Sequence, residues 1–210
     1  MISVQDISDY LAQVSFRNNE NLRPAGTVIN YTPEMIDELI MCKQDPIYFI
    51  ENYVHVVHPD RGVVKMQLYP YQNKMIKGYH ENRRVVVVTP RQYGKTISAA
   101  AYLTWYVMFT DNKTAAILGN KQATADEIMV RVRMIIENLP KWIQQGIKTW
   151  NKRSIDFENG SRIFSAATSS SGIRGKSIQC VAGETKITVR HKVTGEVKEM
   201  SISEFAESMN

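Results

Sequence analysis

The chain is poor in the features that mark exported and membrane-bound proteins. Two cysteines among 210 residues, Cys42 and Cys180, cannot make a disulfide framework and point to an intracellular setting. No uninterrupted apolar run approaches the roughly 18 residues of a membrane-spanning helix. The opening MISVQDISDYLAQVSF carries Asp6 and Asp9 and lacks the basic start and apolar core of a secretory signal. Apart from a small-residue, Gly-containing stretch from Thr168 to Ser177, predicted to be flexible, internal repeats and low-complexity tracts are missing too. His55 and His58 stand three apart, but no third ligand follows to complete a metal set.

What is present is ordinary globular material. Hydrophobic residues make up 43% and charged residues 22%, which argues against wholesale disorder. The length allows one full-sized domain, or one domain with a small appendage. The net charge of +5 is unevenly spread. Residues 1–179 hold 22 of the 26 basic and 16 of the 21 acidic side chains, whereas residues 180–210 are slightly acidic. A basic excess of this size suits a polyanion such as DNA, and equally a nucleotide-binding domain.

Local patterns divide the chain. Val4, Ile7, Leu11 and Val14 form one apolar stripe on a short helix. A polar linker from Asn18 to Asn30 follows. Thr32 as N-cap and Pro33 at the first helical position open a second helix, and Asp45-Pro46 starts a third that runs through Tyr53. Residues 54–66 predict two short strands around a Pro59–Gly62 turn. Residues 70–81 predict a helix, Val85–Val88 a buried strand, Ile97–Phe109 a helix, Thr114–Leu118 a strand and Ala123–Asn138 an amphipathic helix. Continuous apolar strands suit a parallel sheet covered on both faces. Beyond Pro140, Lys148–Trp150, Ser154–Phe157 and Arg162–Ala166 predict short strands. The last two are joined across Glu158-Asn159-Gly160, whose Asn-Gly favours a hairpin.

The most informative run is TPRQYGKT, Thr89–Thr96, between the predicted valine strand and the following helix. A phosphate loop needs inward-turned backbone N–H groups, a lysine for the β- and γ-phosphates and a hydroxyl for Mg²⁺. Gly94, Lys95 and Thr96 supply the last three positions, while Thr89 stands where the first glycine usually does. Upstream, in QLYPYQ, Gln67 and Gln72 carry amides able to read the N6/N7 edge of adenine, and Tyr69 or Tyr71 could stack on the base.

The run QLYPYQ…VVVVTPRQYGKT resembles the large terminase subunits of tailed phages of the T-even type, ATPase–nuclease motors that pump DNA into procapsids. Members of that type lack the first glycine of the loop and place Arg-Gln before Gly-Lys-Thr. The resemblance continues through AAILGNKQATADEI, ENLPKWIQQGIKTWNKRSIDFENGS and GIRGKS, and covers roughly residues 40–179. It implies that Gln67, Gln72, Gln92, Gly94, Lys95 and Thr96 bind ATP, with Thr96 on Mg²⁺. Arg91 then resembles the family's arginine that senses the γ-phosphate in cis, and Arg174 is a candidate contact to nucleotide or DNA. Hydrolysis also needs an Asp on Mg²⁺ and a water-activating Glu at the end of the next core strand. No apolar strand ending in Asp-Glu occurs, and a nuclease's carboxylates are absent, so the chain by itself is expected to hydrolyse ATP poorly.

At Cys180 the sequence changes character. CVAGETKITVRHKVTGEVKEMSISEFAESMN predicts strands at Lys186–Arg190 and Glu196–Met200 around Val193-Thr194-Gly195, then an acidic helix at Ser203–Met209. It is too small to hold a core of its own. These residues resemble the N-terminal block of an intein. The resemblance implies that the Cys180 thiol attacks the Gln179 carbonyl to give a thioester. The competing reading of Cys180 is a buried structural thiol.

The expectation is therefore an α/β fold: an incomplete P-loop NTPase domain, a parallel sheet with flanking helices, a helical N-terminal subdomain and a small β-hairpin intein appendage. The divisions are 1–60, 61–179 and 180–210. The expected function is the N-terminal precursor of a DNA-packaging ATPase, using ATP and Mg²⁺ in the host cytoplasm. It would be joined by trans-splicing to a second chain carrying the missing strand and a nuclease domain. Double-stranded DNA, the portal and the small terminase subunit are the partners that the resemblance implies. The alternatives are a superfamily-two helicase-like ATPase fragment and a non-splicing nucleotide- or DNA-binding fragment.

Overall fold

Short polar caps set the helices of the first half. A computed structural model describes residues 6–7, 9–10, 14–58, 60–168, 178, 180–183, 186–190 and 197–201. Residues 6–7 and 9–10 are helical, while Val4 and Leu11 of the expected first stripe lie outside the described residues. Helix α1, Pro33–Gln44, starts where the Thr32 hydroxyl accepts the Met35 N–H at 3.3 Å. Helix α2, Pro46–Tyr53, starts where the Asp45 carboxylate accepts the Ile47 N–H at 2.7 Å. Each cap satisfies one N–H that the first helical turn leaves without a partner. Strands β1, His55–His58, and β2, Gly62–Lys65, form an antiparallel hairpin. Helix α3, Pro70–Glu81, has the bounds that the sequence predicts.

The core is organised by helix α4, Lys95–Phe109, which buries Ala100, Leu103, Trp105, Val107 and Met108. A helix apolar on nearly every side belongs inside a domain. Trp105 also donates its indole N–H to the Cys42 carbonyl at 2.7 Å, tying α4 to α1. Helix α5, Gln122–Glu137, buries Ala125, Ile128, Met129, Val132, Ile135 and Ile136, a single stripe laid over α4 and the sheet. Leu22, Phe49 and Ile50 of the first sixty residues share one apolar cluster with Leu103, Ile117, Met129 and Phe157. Each fully buried large side chain contributes about 1.5–3 kcal/mol.

The sheet has the order β4-β5-β6-β3-β7, from strands β3 (Thr114–Gly119), β4 (Ile147–Trp150), β5 (Ser154–Phe157), β6 (Arg162–Ala167) and β7 (Cys180–Gly183). It is mixed, not parallel throughout as the sequence suggests. Strand β3 runs parallel to β6 and β7, but β5 pairs antiparallel with both β4 and β6. The cause is local: Gly160, with φ of 78°, turns the chain back directly between β5 and β6. A parallel pair would need a crossover connection instead.

Val85–Val88 departs from expectation more sharply. No strand forms there; the segment has no regular secondary structure and pairs with none of the described strands. Val86 is 50% exposed and Val88 57%. Apolar β-branched residues favour a pleated, half-buried surface, but a strand exists only where another backbone completes its ladder. The described sheet gives this segment no such neighbour.

Toward the C-terminus, β8 (Lys186–Arg190) and β9 (Val197–Ser201) pair antiparallel, so the expected hairpin is present with its second strand shifted by one residue. Its turn at 193–195, the helix at 203–209 and the Gly-rich stretch at 171–177 with Arg174 lie outside the described residues. Strand β7 aligns Ala115 with Cys180 and Leu118 with Gly183. The first four residues of the expected appendage thus lie in the main sheet. Among the described residues no helix is long and apolar enough to cross a membrane.

Candidate functional site

The loop before α4 is shaped by two left-handed residues. Gln92 has φ of 66° and Gly94 has φ of 67°, and α4 begins at the next residue, Lys95. Glycine takes this conformation freely, whereas Gln92 holds it at a cost of about 1–2 kcal/mol. The Lys95 ammonium donates to the carbonyls of Thr89 and Pro90, both at 2.8 Å, and so bridges the two ends of the loop. Thr96 stands exposed on the first turn of α4, and Arg91 is exposed on the loop. Two buried hydroxyls, Thr89 Oγ1 and Ser98 Oγ, have no hydrogen-bond partner among the described residues.

The start of α3 docks on this loop. Gln72 is buried, and its Oε1 accepts the Tyr69 N–H at 3.0 Å while its own N–H donates to the Tyr69 carbonyl at 2.8 Å. A Cβ at Gly94 would sit 2.5 Å from Gln72 Nε2, so a side chain there would have to displace the Gln72 amide as well as adopt the left-handed φ. Tyr69 and Tyr71 stack with centroids 5.6 Å apart and planes within 6°, and Tyr93 of the loop meets Tyr71 at 5.1 Å. Gln67 is exposed ahead of the helix.

The structure therefore brings Gln72, Tyr71, Tyr93, Gly94 and Lys95 into one neighbourhood, with Arg91, Gln92 and Thr96 on the same loop. Sequence reasoning missed Tyr93. The available signal was a third tyrosine in a loop that otherwise carries the phosphate-binding residue types. Cys180 forms part of β7, while Gln179 lies outside the described residues. The other cysteine, Cys42, is fully buried, and burial pushes its thiol up to about 12, which makes it a poor nucleophile. A separate cleft of about 440 Å³, lined by Arg23, Ile36, Ile40, Met108 and Glu158, shares no residue with the loop. Among the described residues no group of three His, Cys, Asp or Glu side chains could hold a metal ion.

The residues present fit a nucleotide triphosphate with its Mg²⁺. The loop turns its backbone with a glycine at the closest approach, holds an ammonium group at its mouth and exposes a hydroxyl at the helix start. The class that the fold defines is a mixed α/β protein in which this loop opens α4. A more particular statement comes from comparison. Residues 86–183, a little under half of the chain, match the family model for terminase large subunit, T4likevirus-type, N-terminal. Over these residues the chain is similar to the N-terminal part of such a subunit. It contains the whole loop and extends through β7 to Gly183.

Proposed function

We propose that this chain is the N-terminal precursor of an ATP-driven terminase large subunit whose ATPase site is completed by a second chain. The observation that carries the packaging-motor reading is the terminase match over residues 86–183, which includes the phosphate loop. In this reading the Lys95 ammonium leaves the Thr89 and Pro90 carbonyls for the β- and γ-phosphates, and the Thr96 hydroxyl reaches Mg²⁺. Arg91 faces the γ-phosphate, Gln92 and Gly94 shape the loop, and the base lies along the Gln67–Gln72 turn. ATP supplies the phosphoryl group whose transfer to water drives translocation. The Asp on Mg²⁺ and the water-activating Glu that hydrolysis needs are contributed by the second chain in this reading, so the chain by itself turns nucleotide over slowly. The motor's partners are double-stranded DNA, the portal and the small terminase subunit, met in the host cytoplasm during virion assembly.

Completion proceeds through residues 180–210, acting as an N-terminal split-intein fragment. The Cys180 thiol adds to the Gln179 carbonyl carbon and the Gln179–Cys180 C–N bond breaks. The thiol proton passes to the freed amine of Cys180, leaving a thioester. A second chain, carrying the larger intein part and the rest of the ATPase, then accepts the acyl group and is joined to Gln179.

One observation favours a second reading. The terminase match continues to Gly183, and Cys180–Gly183 pairs with β3. On that reading these residues are a permanent strand of a non-splicing nucleotide-binding protein. Peptide mass spectrometry of cells co-expressing both chains separates the two. Trypsin releases Ser177–Lys186 from the unspliced chain. A peptide joining Gln179 to a new residue, lost in Cys180→Ala, is the expected result. Finding only the intact peptide with the partner present would establish the second reading and remove the intein.

A further inference from the structure

The block that begins at Cys180 is divided between two sheets. Strand β7, Cys180–Gly183, runs parallel to β3 in the main sheet. Strand β8 begins at Lys186 and pairs with β9 in a separate two-stranded sheet. Ahead of the block, Ile178 packs on a small cluster made by Ala116 and Leu118 of β3 with Phe164 and Ala166 of β6. The residues on both sides of Gln179 are therefore held against β3.

Strand β7 is a lightly anchored occupant of its place. It has four residues, ends the sheet among the described strands and so pairs along one side only. Its last two residues, Ala182 and Gly183, bring little apolar surface. The place itself makes a strong demand. Ala115, Ala116 and Ile117 are fully buried, and the backbone groups on their outer edge need a partner other than water. Such an edge takes up an extended segment through main-chain hydrogen bonds, with side chains of the segment secondary.

The same four residues are needed elsewhere. Thioester formation requires Cys180 to be positioned by catalytic groups that, in the reading above, the second chain brings to the fold begun by β8 and β9. A backbone laddered to Ala115–Leu118 is not free to enter that fold. The two placements of Cys180–Gly183 exclude each other.

We infer that β7 is a stand-in strand, and that an extended apolar strand of the second chain displaces it from the outer edge of β3, which releases Cys180 for thioester formation. The inference rests on the split-intein reading and adds an order of events to it. Joining begins only after the sheet has received its lasting strand, so Cys180 stays idle until the second chain has docked. The edge also defines that strand: parallel to β3, apolar against buried neighbours, and long enough to cover Ala115–Leu118.

Hydrogen-exchange mass spectrometry tests this on the full 210-residue chain alone and on the Cys180→Ala chain mixed with the second chain, a complex that stops before the thioester. In the chain alone, amides of 180–183 and of 115–118 should both be protected. In the stopped complex, exchange at 180–183 should rise about tenfold or more while 115–118 keep their protection. Protection of 115–118 in the Cys180→Ala chain alone, equal to that of the wild type, shows that the variant folds. Free exchange at 180–183 in the chain alone overturns the inference, because no strand is then docked. So does protection of 180–183 that persists in the stopped complex while the wild-type pair joins. Loss of protection at 115–118 together with 180–183 means that no strand replaces β7, and overturns it too. If the wild-type pair never joins, the intein reading falls, β7 is a permanent strand and the exchange falls with it.

Discussion

At the scale of single residues, the site depends on backbone conformation more than on side-chain chemistry. Gly94 meets two constraints together, a left-handed φ of 67° and a neighbour, Gln72 Nε2, where a Cβ would sit within 2.5 Å. Gly94→Ala is expected to weaken Mg-ATP binding by about tenfold, the equivalent of the strain of an L-residue in that region. Calorimetry gives the affinity, and circular dichroism should show helix content unchanged. An affinity equal to wild type would mean that the loop relaxes freely. The motif position singles out Lys95 as a candidate. Its carbonyl partners, Thr89 and Pro90, were not legible there, because their approach depends on how the loop folds back. Cys42 makes the opposite point. Its local sequence carries no block like the one that begins at Cys180, and full burial raises its thiol to about 12 and takes it out of chemistry.

At the scale of elements, polar clasps decide how helices meet the sheet. Asp126 on α5 accepts from Gln122 at 2.7 Å, from Ser165 of β6 at 2.9 Å and from Arg153 at 3.3 Å. Burial pushes its carboxyl up, but these hydrogen bonds and the Arg153 charge more than offset that, and the net shift is downward. With the folded value below the unfolded one, the stabilisation is complete above the unfolded value of about 3.9 and is lost as pH falls through the folded value. Asp126→Asn should therefore lower the melting temperature at pH 7 and shrink the loss seen between pH 5 and pH 3. At neutral pH the cost is about 1.5–3 kcal/mol, that of a hydrogen bond to a charged group. Equal acid sensitivity in wild type and variant would assign the acid transition to other carboxylates.

The hairpin at Glu158-Asn159-Gly160 was read correctly as a turn, yet its tertiary role was invisible. Asn159 donates to the carbonyls of Val107 and Thr110 at the end of α4. Glu158 pairs with the buried Arg23 at 2.7 Å and accepts the Gly146 N–H at 2.8 Å. Local turn chemistry is a property of neighbours in sequence, whereas these contacts join residues as far apart as 23 and 158. Periodicity and capping residues were likewise enough for α1, α2 and α3, because Thr32, Asp45 and Pro70 act within one turn of themselves.

At the scale of the whole molecule, the informative element is the strand that did not form. Amides of Val85–Val88 should exchange with deuterium far faster than those of Ala115–Leu118 in β3, which is paired on both sides. Hydrogen-exchange mass spectrometry on the intact chain checks this. Protection of the valine run equal to that of β3 would mean that it has a backbone partner the described sheet lacks. In the joined product of the proposed splicing, a strand brought by the second chain should slow exchange there.

The sequence by itself determined where helices begin, where the hairpins turn and which eight residues make a candidate phosphate loop. Each of these rests on interactions within a few residues: caps, glycine conformations, apolar spacing. Only the tertiary structure decided that the sheet is mixed, that the valine run stays unpaired and that Gln72 turns its acceptor to Tyr69 instead of outward. It alone brought Tyr93 beside Tyr71. A strand needs a neighbouring backbone and an aromatic stack needs a second ring. Neither requirement is written at the position that bears it, so both are met or missed only once distant segments meet.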